Sequence, residues 1–185
     1  MSNRSIHTLL KNWDEECPLT REEAVEVLNL PEEEMDSLME CAYALRTKYK
    51  GKKVSVQLLT NVRSGNCTQN CAYCAQSKDS QAEIEKYKRV SDEKLYGDND
   101  LVDEKHLARH CIGLSGIGFS DEEIEDLAER IREMKKKDTQ ICCSIGFLTE
   151  KQARILKEAG LDRINHNLNS SRSFYPEICT THTYD

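Results

Sequence analysis

Apolar residues recur three and four positions apart over the first fifty residues, and the pattern changes after Gly51. This helical period predicts helices at 5–13, 20–28 and 31–48. Thr20 begins a Thr-Arg-Glu-Glu stretch, which is typical of a capping box at the start of a helix. Residues 1–50 are therefore predicted to form an N-terminal helical lead-in to residues 51–185.

Four short runs rich in β-branched and other apolar residues follow Gly51, at 53–59, 109–114, 140–147 and 163–168. Helical patterns separate the last three runs: Ser120 caps a helix that runs to about Lys137, and Thr149 caps one that ends before Gly160. Strands that alternate with helices predict right-handed βαβ units and a parallel sheet. The predicted fold class is α/β, a partial (β/α) barrel of the TIM type with about four βα units.

The crossover at 91–110 contains Gly97-Asp-Asn-Asp100, which disfavours a helix, so we expect that crossover to be broken or short. Four strands are half of an eight-stranded barrel, and residues 51–185 are expected to be the N-terminal half of one, with two open sheet edges.

Composition excludes several classes of function. The formal net charge of −7 argues against a phosphate-binding surface for nucleic acid. The sequence has neither an apolar window of the roughly 18 residues that a membrane span needs nor a signal peptide, so we expect a cytoplasmic protein that does not bind membranes. Cytosolic thiols are kept reduced, so the nine cysteines indicate metal ligands or free thiols, not a disulfide scaffold.

Three of these cysteines, Cys67, Cys71 and Cys74, lie within eight residues in the loop after the first predicted strand. Such a loop can bind three irons of a cubane iron–sulfur cluster and leave the fourth iron open to a small molecule. A structural zinc site needs four ligands, and Cys142, Cys143 or a histidine could supply the fourth. Both kinds of metal site are compatible with the spacing.

The order Cys-x-x-x-Cys-x-Tyr-Cys resembles the signature of the radical S-adenosylmethionine superfamily, with Tyr73 in the place of the aromatic residue that borders the adenine. Within that superfamily, four segments resemble the biotin synthase family in order and spacing, and the resemblance runs from about residue 54 to the C-terminus. They are Tyr73-Cys-Ala-Gln-Ser77, Cys111-Ile-Gly-Leu-Ser115, Asn165-His-Asn-Leu-Asn169 and Thr180-Thr-His-Thr-Tyr184.

This resemblance implies sulfur insertion into dethiobiotin by a radical that is generated from S-adenosylmethionine, so no side chain is expected to be the catalyst. It implies a [4Fe–4S] cluster on Cys67, Cys71 and Cys74, and a [2Fe–2S] cluster for which Cys111 and Cys142 are two of the ligands. The family's remaining [2Fe–2S] ligands, and the arginine that holds the cofactor carboxylate, follow the fourth strand and have no counterpart here. An electron-donating flavoprotein or ferredoxin and a homodimer are implied as partners.

The resemblance also implies positions for the small molecules. The methionine end of the cofactor would meet the backbone of Gly113, Leu114 and Ser115, while Asn167 and Asn169 would contact its ribose. Asn165 and Asn167 would contact dethiobiotin. These three amides stand at alternate positions and are predicted to face one side of a strand, with His166 packed on the other side.

The other cysteines are interpreted as packing residues. Cys143 follows Cys142 directly and should point to the opposite face of its strand, toward the helices. Cys17, Cys41 and Cys179 lie in helical or loop sequence and are given the same interpretation.

Two alternative functions remain open. One is another radical S-adenosylmethionine enzyme of related barrel type, such as a hydrogenase-maturation or methylornithine-forming relative, although Gln76-Ser77 with Cys111 and Cys142 favours biotin synthase. The other is an iron–sulfur or zinc-binding module without catalytic activity.

Overall fold

The computed structural model describes residues 19–185, so the predicted helix at 5–13 and Cys17 lie outside the described residues. The chain divides into two compact units, Met1–Val54 and Ser55–Asp185. In the first, α1 spans Arg21–Leu28, a short 3-10 helix spans Glu32–Glu34, and α2 spans Met35–Lys50. The predicted capping box is present, because the Thr20 side chain accepts from the Glu23 backbone and the Glu23 side chain accepts from the Thr20 backbone.

The second unit is a four-stranded parallel sheet with the strands in the order β1-β2-β3-β4. The strands are β1 (Gln57–Arg63), β2 (Arg109–Leu114), β3 (Ile141–Ser144) and β4 (Arg163–Asn165). Helices connect them: α3 (Asp92–Glu104), α4 (Asp121–Met134) and α5 (Glu150–Glu158), and a short α6 (Tyr175–Ile178) follows β4. The predicted βαβ order and parallel sheet are confirmed.

The core lies between one face of this sheet and helices α3, α4 and α5. Ile112 and Cys143 of the sheet and Ile124, Ile131 and Leu156 of the helices are fully buried there. Ser120 and Thr149 both form the predicted capping boxes. Each satisfies backbone groups that a helix start leaves unpaired, which places the apolar faces of α4 and α5 against the sheet.

The strand bounds differ from the prediction. The first strand was predicted at 53–59 but runs from Gln57 to Arg63, and the β-branched Val54 and Val56 are 77% and 55% exposed. Pairing with β2 decides this register, because it buries the Thr60 hydroxyl beside His110. The third and fourth strands end early, at Ser144 and Asn165, as their chains turn into loops.

The prediction of a broken crossover was wrong. Helix α3 is continuous through Gly97-Asp-Asn-Asp100, and Ser91 caps its start. Asp98 accepts from the Thr60 hydroxyl at 2.6 Å, and Asn99 contacts His110 at 3.2 Å and donates to the Met134 carbonyl at 3.2 Å. These tertiary hydrogen bonds offset the propensity cost of about 1 kcal/mol that a glycine brings to a helix.

Within residues 19–185, no helix combines the length and the apolar character that crossing a membrane requires.

Candidate cofactor site

The sheet face opposite helices α3, α4 and α5, called the open face here, carries two rows of residues that include the predicted site residues Cys111, Cys142, Gly113 and Asn165. Strand pairing aligns Leu59, Cys111, Cys142 and Arg163 in one row, and Asn61, Gly113, Ser144 and Asn165 in the next row toward the carboxyl ends of the strands. Leu59 is 65% exposed on this face, whereas its neighbour Thr60 is buried on the other. The carboxyl ends of parallel strands are where (β/α) barrels place their sites.

The cluster loop, residues 64–78, leaves β1 and carries the three thiols. Gly65 turns it with a φ of 67°, and a side chain at that position would meet Lys86 at 2.6 Å. The loop then makes two successive turns, because the Cys74 amide donates to the Cys71 carbonyl and the Ser77 amide donates to the Cys74 carbonyl, both at 3.1 Å. The two turns span Cys71 to Ser77, and all three thiols line one cavity.

The Gln76-Ser77 pair fastens this loop. The Gln76 side-chain oxygen accepts from the Gly65 amide and from the Ser64 hydroxyl, at the beginning of the loop. The Ser77 hydroxyl donates to the Gln69 carbonyl at 3.1 Å. Gln76 therefore joins the end of the loop to its beginning and Ser77 joins it to the middle, which gives the motif a structural reason.

Ten of the predicted site residues line a single cavity of about 350 Å³ at the carboxyl ends of the strands. They are Cys67, Cys71, Cys74, Tyr73, Gly113, Leu114, Ser115, Asn165, Asn167 and Asn169. Residues separated by up to 102 positions therefore meet at one site. Cys111 and Cys142 lie one row deeper and do not line this cavity.

Burial and neighbouring thiols set the electrostatics of the cluster loop. Burial, together with the adjacent Cys179, raises the pKa of Cys71 to about 11. Burial and the nearby Cys71 raise the pKa of Tyr73 to about 12. A cation or a metal cluster beside these groups would favour thiolates, so the cavity accommodates positive charge better than negative charge.

The asparagine segment, residues 165–169, reaches the cavity mostly as a loop, whereas a strand was predicted there. Strand β4 ends at Asn165, so strand alternation does not extend to Asn167 and Asn169, and Asn169 has a φ of 64°. His166 is exposed, lines the same cavity and stacks near Phe147 with 5.5 Å between ring centroids. The expectation that His166 packs on the opposite face was wrong, because that expectation assumed a continuous strand.

The cysteines of β3 divide as predicted. Cys143 is fully buried among the core residues, and burial raises the pKa of its thiol to about 12. Cys142 pairs with Cys111 across the open face, and burial, followed by the proximity of Cys142, raises the pKa of Cys111. Cys111 also donates to the Gln57 side chain at 2.9 Å. Two thiols on adjacent strands can reach one small metal cluster.

Sequence reasoning missed Cys179 and His182. Cys179 was interpreted as a packing residue, yet its sulfur lies 3.8 Å from the sulfur of Cys71 and 3.2 Å from Nδ1 of His182. Burial opposes ionisation of Cys179, but hydrogen bonds from Thr181 and His182 outweigh it and lower the pKa of this thiol. The position of Cys179 depends on a contact across more than a hundred residues, so no local pattern could reveal it.

His182 connects the C-terminal segment to the cluster loop. Its Nδ1 lies 2.9 Å from the Gln69 side-chain oxygen and its Nε2 lies 2.9 Å from the Tyr175 hydroxyl. Tyr175 in turn accepts from the Asn169 amide at 3.2 Å. One chain of hydrogen bonds thus joins the cysteine loop to the asparagine segment, and burial lowers the pKa of the His182 ring that carries it.

Comparison with protein families supports this site. The model of the radical SAM superfamily matches residues 61–185, which include the cluster loop and all four strands except the start of β1.

Comparison with curated proteins is more specific. A biotin synthase of Geobacillus kaustophilus (strain HTA426) is 41% identical over 168 residues, covering 90% of this chain and 50% of that protein. A biotin synthase of Bacillus cytotoxicus is 41% identical over 169 residues, covering 90% of this chain and 51% of that protein. The resemblance to biotin synthases is confirmed, and the chain spans about half the length of the curated relatives it matches.

Solved structures support the fold. Methylornithine synthase (PylB) superposes with a TM-score of 0.79 at 16% identity, covering 95% of this chain and 51% of that chain. The FeFe-hydrogenase maturase HydG from Carboxydothermus hydrogenoformans superposes with a TM-score of 0.77 at 21% identity, covering 97% of this chain and 42% of that chain. These similarities confirm a partial barrel fold and say nothing further about chemistry.

Proposed function

Since the chain belongs to the radical S-adenosylmethionine superfamily, we propose that it supplies the cluster loop and first four strands of a biotin synthase, which inserts sulfur into dethiobiotin to form biotin. The observation that carries this proposal is the single cavity that Cys67, Cys71 and Cys74 share with the β2 end and the asparagine segment. The relatives at about 40% identity support biotin synthase over other members of the superfamily.

The residues of the cavity fit a [4Fe–4S] cluster and S-adenosylmethionine. Thiolates are the usual ligands of such clusters, and three of them leave one iron without a protein ligand. At about 350 Å³ the cavity is of the size that small-molecule sites have. When bound, the reduced cluster supplies the electron that cleaves S-adenosylmethionine and so makes available the radical that removes hydrogen from substrate.

The protein's own part is to bind and orient. Cys67, Cys71 and Cys74 would hold the cluster, and they share their cavity with the end of β2. Both donors of Ser115 are already engaged, its hydroxyl with the Gly65 carbonyl and its amide with the Arg63 carbonyl at 3.1 Å. Ser115 therefore offers the cofactor acceptors and no donor, and the backbone from Gly113 to Ser115, which lines the cavity, would meet the ammonium group at the methionine end of the cofactor.

The remaining polar groups orient the two organic molecules. The side chains of Asn165 and Asn167 are exposed on the cavity and free to contact dethiobiotin, while Asn167 and Asn169 reach the ribose. Tyr73 is 59% exposed, and its ring would border the adenine. One row deeper, Cys111 and Cys142 would supply two of the ligands of a [2Fe–2S] cluster, which would be the source of the sulfur. A homodimer, a flavoprotein or ferredoxin as electron donor and a cytoplasmic location stay predictions.

Anaerobic reconstitution of the 185-residue chain with iron and sulfide tests the first step. We expect a brown protein whose reduced electron paramagnetic resonance spectrum changes when S-adenosylmethionine is added. Cys67→Ala should remove that spectrum, whereas Cys41→Ala, in the first unit, should keep it. A wild-type protein that takes up no iron would contradict the proposal.

Product analysis separates the alternatives. Release of 5′-deoxyadenosine that requires dethiobiotin supports biotin synthase, while release without it indicates another enzyme of the superfamily. A loaded cluster without any release indicates an iron–sulfur module that lacks catalysis. Cys111→Ala should spare the [4Fe–4S] spectrum and remove any [2Fe–2S] absorption; loss of both would contradict the division of ligands.

A further inference from the structure

A second group of metal-binding side chains overlaps the cluster site. In the part of the chain that the structure describes, Cys71, Cys179 and His182 place their ligand atoms within 4.8 Å of one another. The sequence places Cys179 and His182 in the segment after α6, more than a hundred residues from Cys71. An amide of the cluster loop holds the two segments together, because Ala72 donates to the Ile178 carbonyl at 2.9 Å.

The spacing of these atoms suits one ion. Two thiolates bound to one tetrahedral zinc, each at about 2.3 Å, lie about 3.8 Å apart. The sulfurs of Cys71 and Cys179 are 3.8 Å apart, and the sulfur of Cys179 is 3.2 Å from Nδ1 of His182. Each thiolate of a cubane binds a different iron, so its sulfurs lie farther apart than two ligands of a single ion. Cys179 is therefore unsuited to be a fourth ligand of the cubane.

We propose that the cluster-free protein binds one zinc-type divalent cation through Cys71, Cys179 and His182. Cysteine and histidine are the ligands that zinc and cobalt share, and three of them leave one tetrahedral position for water or for the Gln69 side-chain oxygen beside His182. Binding displaces the two thiol protons to the buffer.

The surroundings of His182 support this role. When Nδ1 binds the ion, Nε2 carries the ring proton and donates to the Tyr175 hydroxyl oxygen, which lies 2.9 Å away. Metal-bound histidines usually donate their second ring nitrogen in this way, and the contact fixes the orientation of the ring. Tyr175 and Cys179 are only 6% and 3% exposed, so the site is partly shielded from water.

Because Cys71 belongs to both sets of ligands, the single-ion site and the [4Fe–4S] cluster exclude each other. The cation would keep Cys71 and the C-terminal segment in place while no cluster is present, and cluster assembly would release it. Zinc should therefore slow reconstitution of the cluster in wild type, and Cys179→Ala should remove this inhibition.

A crossed set of variants tests the inference on the 185-residue chain. The protein is freed of metal anaerobically with a chelator and titrated with Co²⁺, and the thiolate-to-cobalt absorption is recorded. We expect one equivalent bound in wild type and in Cys67→Ala. Cys179→Ala and His182→Ala should bind more than about 100-fold more weakly, since loss of a ligand exceeds the 10- to 100-fold effect of losing a ligand's partner.

Cluster reconstitution is measured on the same variants and should show the opposite pattern. Cys179→Ala keeps the [4Fe–4S] cluster, Cys67→Ala loses it, and Cys71→Ala loses both metal sites. Far-ultraviolet circular dichroism checks each fold, and Cys179→Ser replaces Cys179→Ala if that variant unfolds.

Two results would overturn the inference. One is cobalt binding that survives in Cys179→Ala but not in Cys67→Ala, which places the ion among the three loop thiols. The other is a wild type without cobalt–thiolate absorption. Neither result bears on the proposed function, which fails if the wild-type protein takes up no iron.

Discussion

The two faces of the sheet are made from the same four strands and have opposite environments. On the helix-covered face, His110, Ile112 and Cys143 are fully buried. On the open face, Leu59 is 65% exposed and Cys142 is accessible, although Cys142 and Cys143 are adjacent in sequence. The comparison shows that in this chain a residue's role depends on which side of the strand it occupies. Packing determines one face, and the other is available for ligands.

The largest expected difference between the faces is in stability. Ile112→Ala leaves a cavity in the covered core and should lower the free energy of unfolding by about 3 kcal/mol. Leu59→Ala, the matched change on the open face, should cost less than about 0.5 kcal/mol. Urea denaturation measures both. Equal losses would mean that something covers the open face in solution.

A second difference should appear in the pH dependence of stability, because the covered face buries a histidine. Burial lowers the pKa of His110 from its ordinary 6.5 to about 4; the Asp98 carboxylate opposes this shift and Lys94 adds to it. Between these values the unfolded chain binds the proton and the folded chain does not, so stability is highest above pH 6.5 and falls as the pH approaches 4. The upper limit of the loss is roughly 3 kcal/mol.

Urea denaturation at pH 7 and at pH 4.5 measures this loss in wild type and in His110→Asn. The variant should lose most of the pH dependence in that range. His166→Asn, on the cavity side, is the matched control and should leave the dependence as it is. A wild-type profile that is flat between the two pH values would contradict a neutral, buried His110.

The adjacent cysteines give a sharper test of the same comparison. Cys143→Ser places a hydroxyl in an apolar core and should cost about 1–3 kcal/mol, whereas Cys142→Ser should cost less than about 0.5 kcal/mol. In the metal-free native protein, an alkylating reagent should modify Cys142 and leave Cys143 unmodified until the chain unfolds. Peptide mass spectrometry after alkylation identifies the modified thiol, and modification of Cys143 in the native state would reverse the assignment of faces.

The smallest effect is expected in the cluster loop above the open face. Gln76→Ala removes the acceptor for the Gly65 amide and should cost about 1 kcal/mol, with faster hydrogen exchange at loop amides. Gln81→Ala is the matched control, because within residues 19–185 the Gln81 side chain makes a single weak contact, of 3.4 Å with the Asp79 carbonyl. Equal exchange in the two variants would show that Gln76 does not fasten the loop.

Several features could be predicted from local sequence. The capping boxes at Ser120 and Thr149 depend on residues three positions apart, so the starts of α4 and α5 could be predicted. The separation of Cys142 from Cys143 follows from strand alternation alone. The Cys67-to-Cys74 spacing indicated a metal-binding loop, and its family resemblance has been confirmed.

Other features could not be predicted, because distant residues decide them. Pairing with β2 moved the first strand from 53–59 to Gln57–Arg63, away from the apparently better Val54 and Val56. Buried contacts of Asp98 and Asn99 kept α3 continuous. Likewise, only the contact between the C-terminal segment and the cluster loop brings Cys179 beside Cys71.

By itself, the sequence determined the order of helices and strands, the parallel sheet and the three thiols of the cluster loop, because helix caps, periodicity and motif spacing act over a few residues. Tertiary structure alone decided the register of β1, the continuity of α3 and the set of ligands available around Cys71. These three features depend on contacts between residues 35 to 108 positions apart, and a short window of sequence contains no record of them.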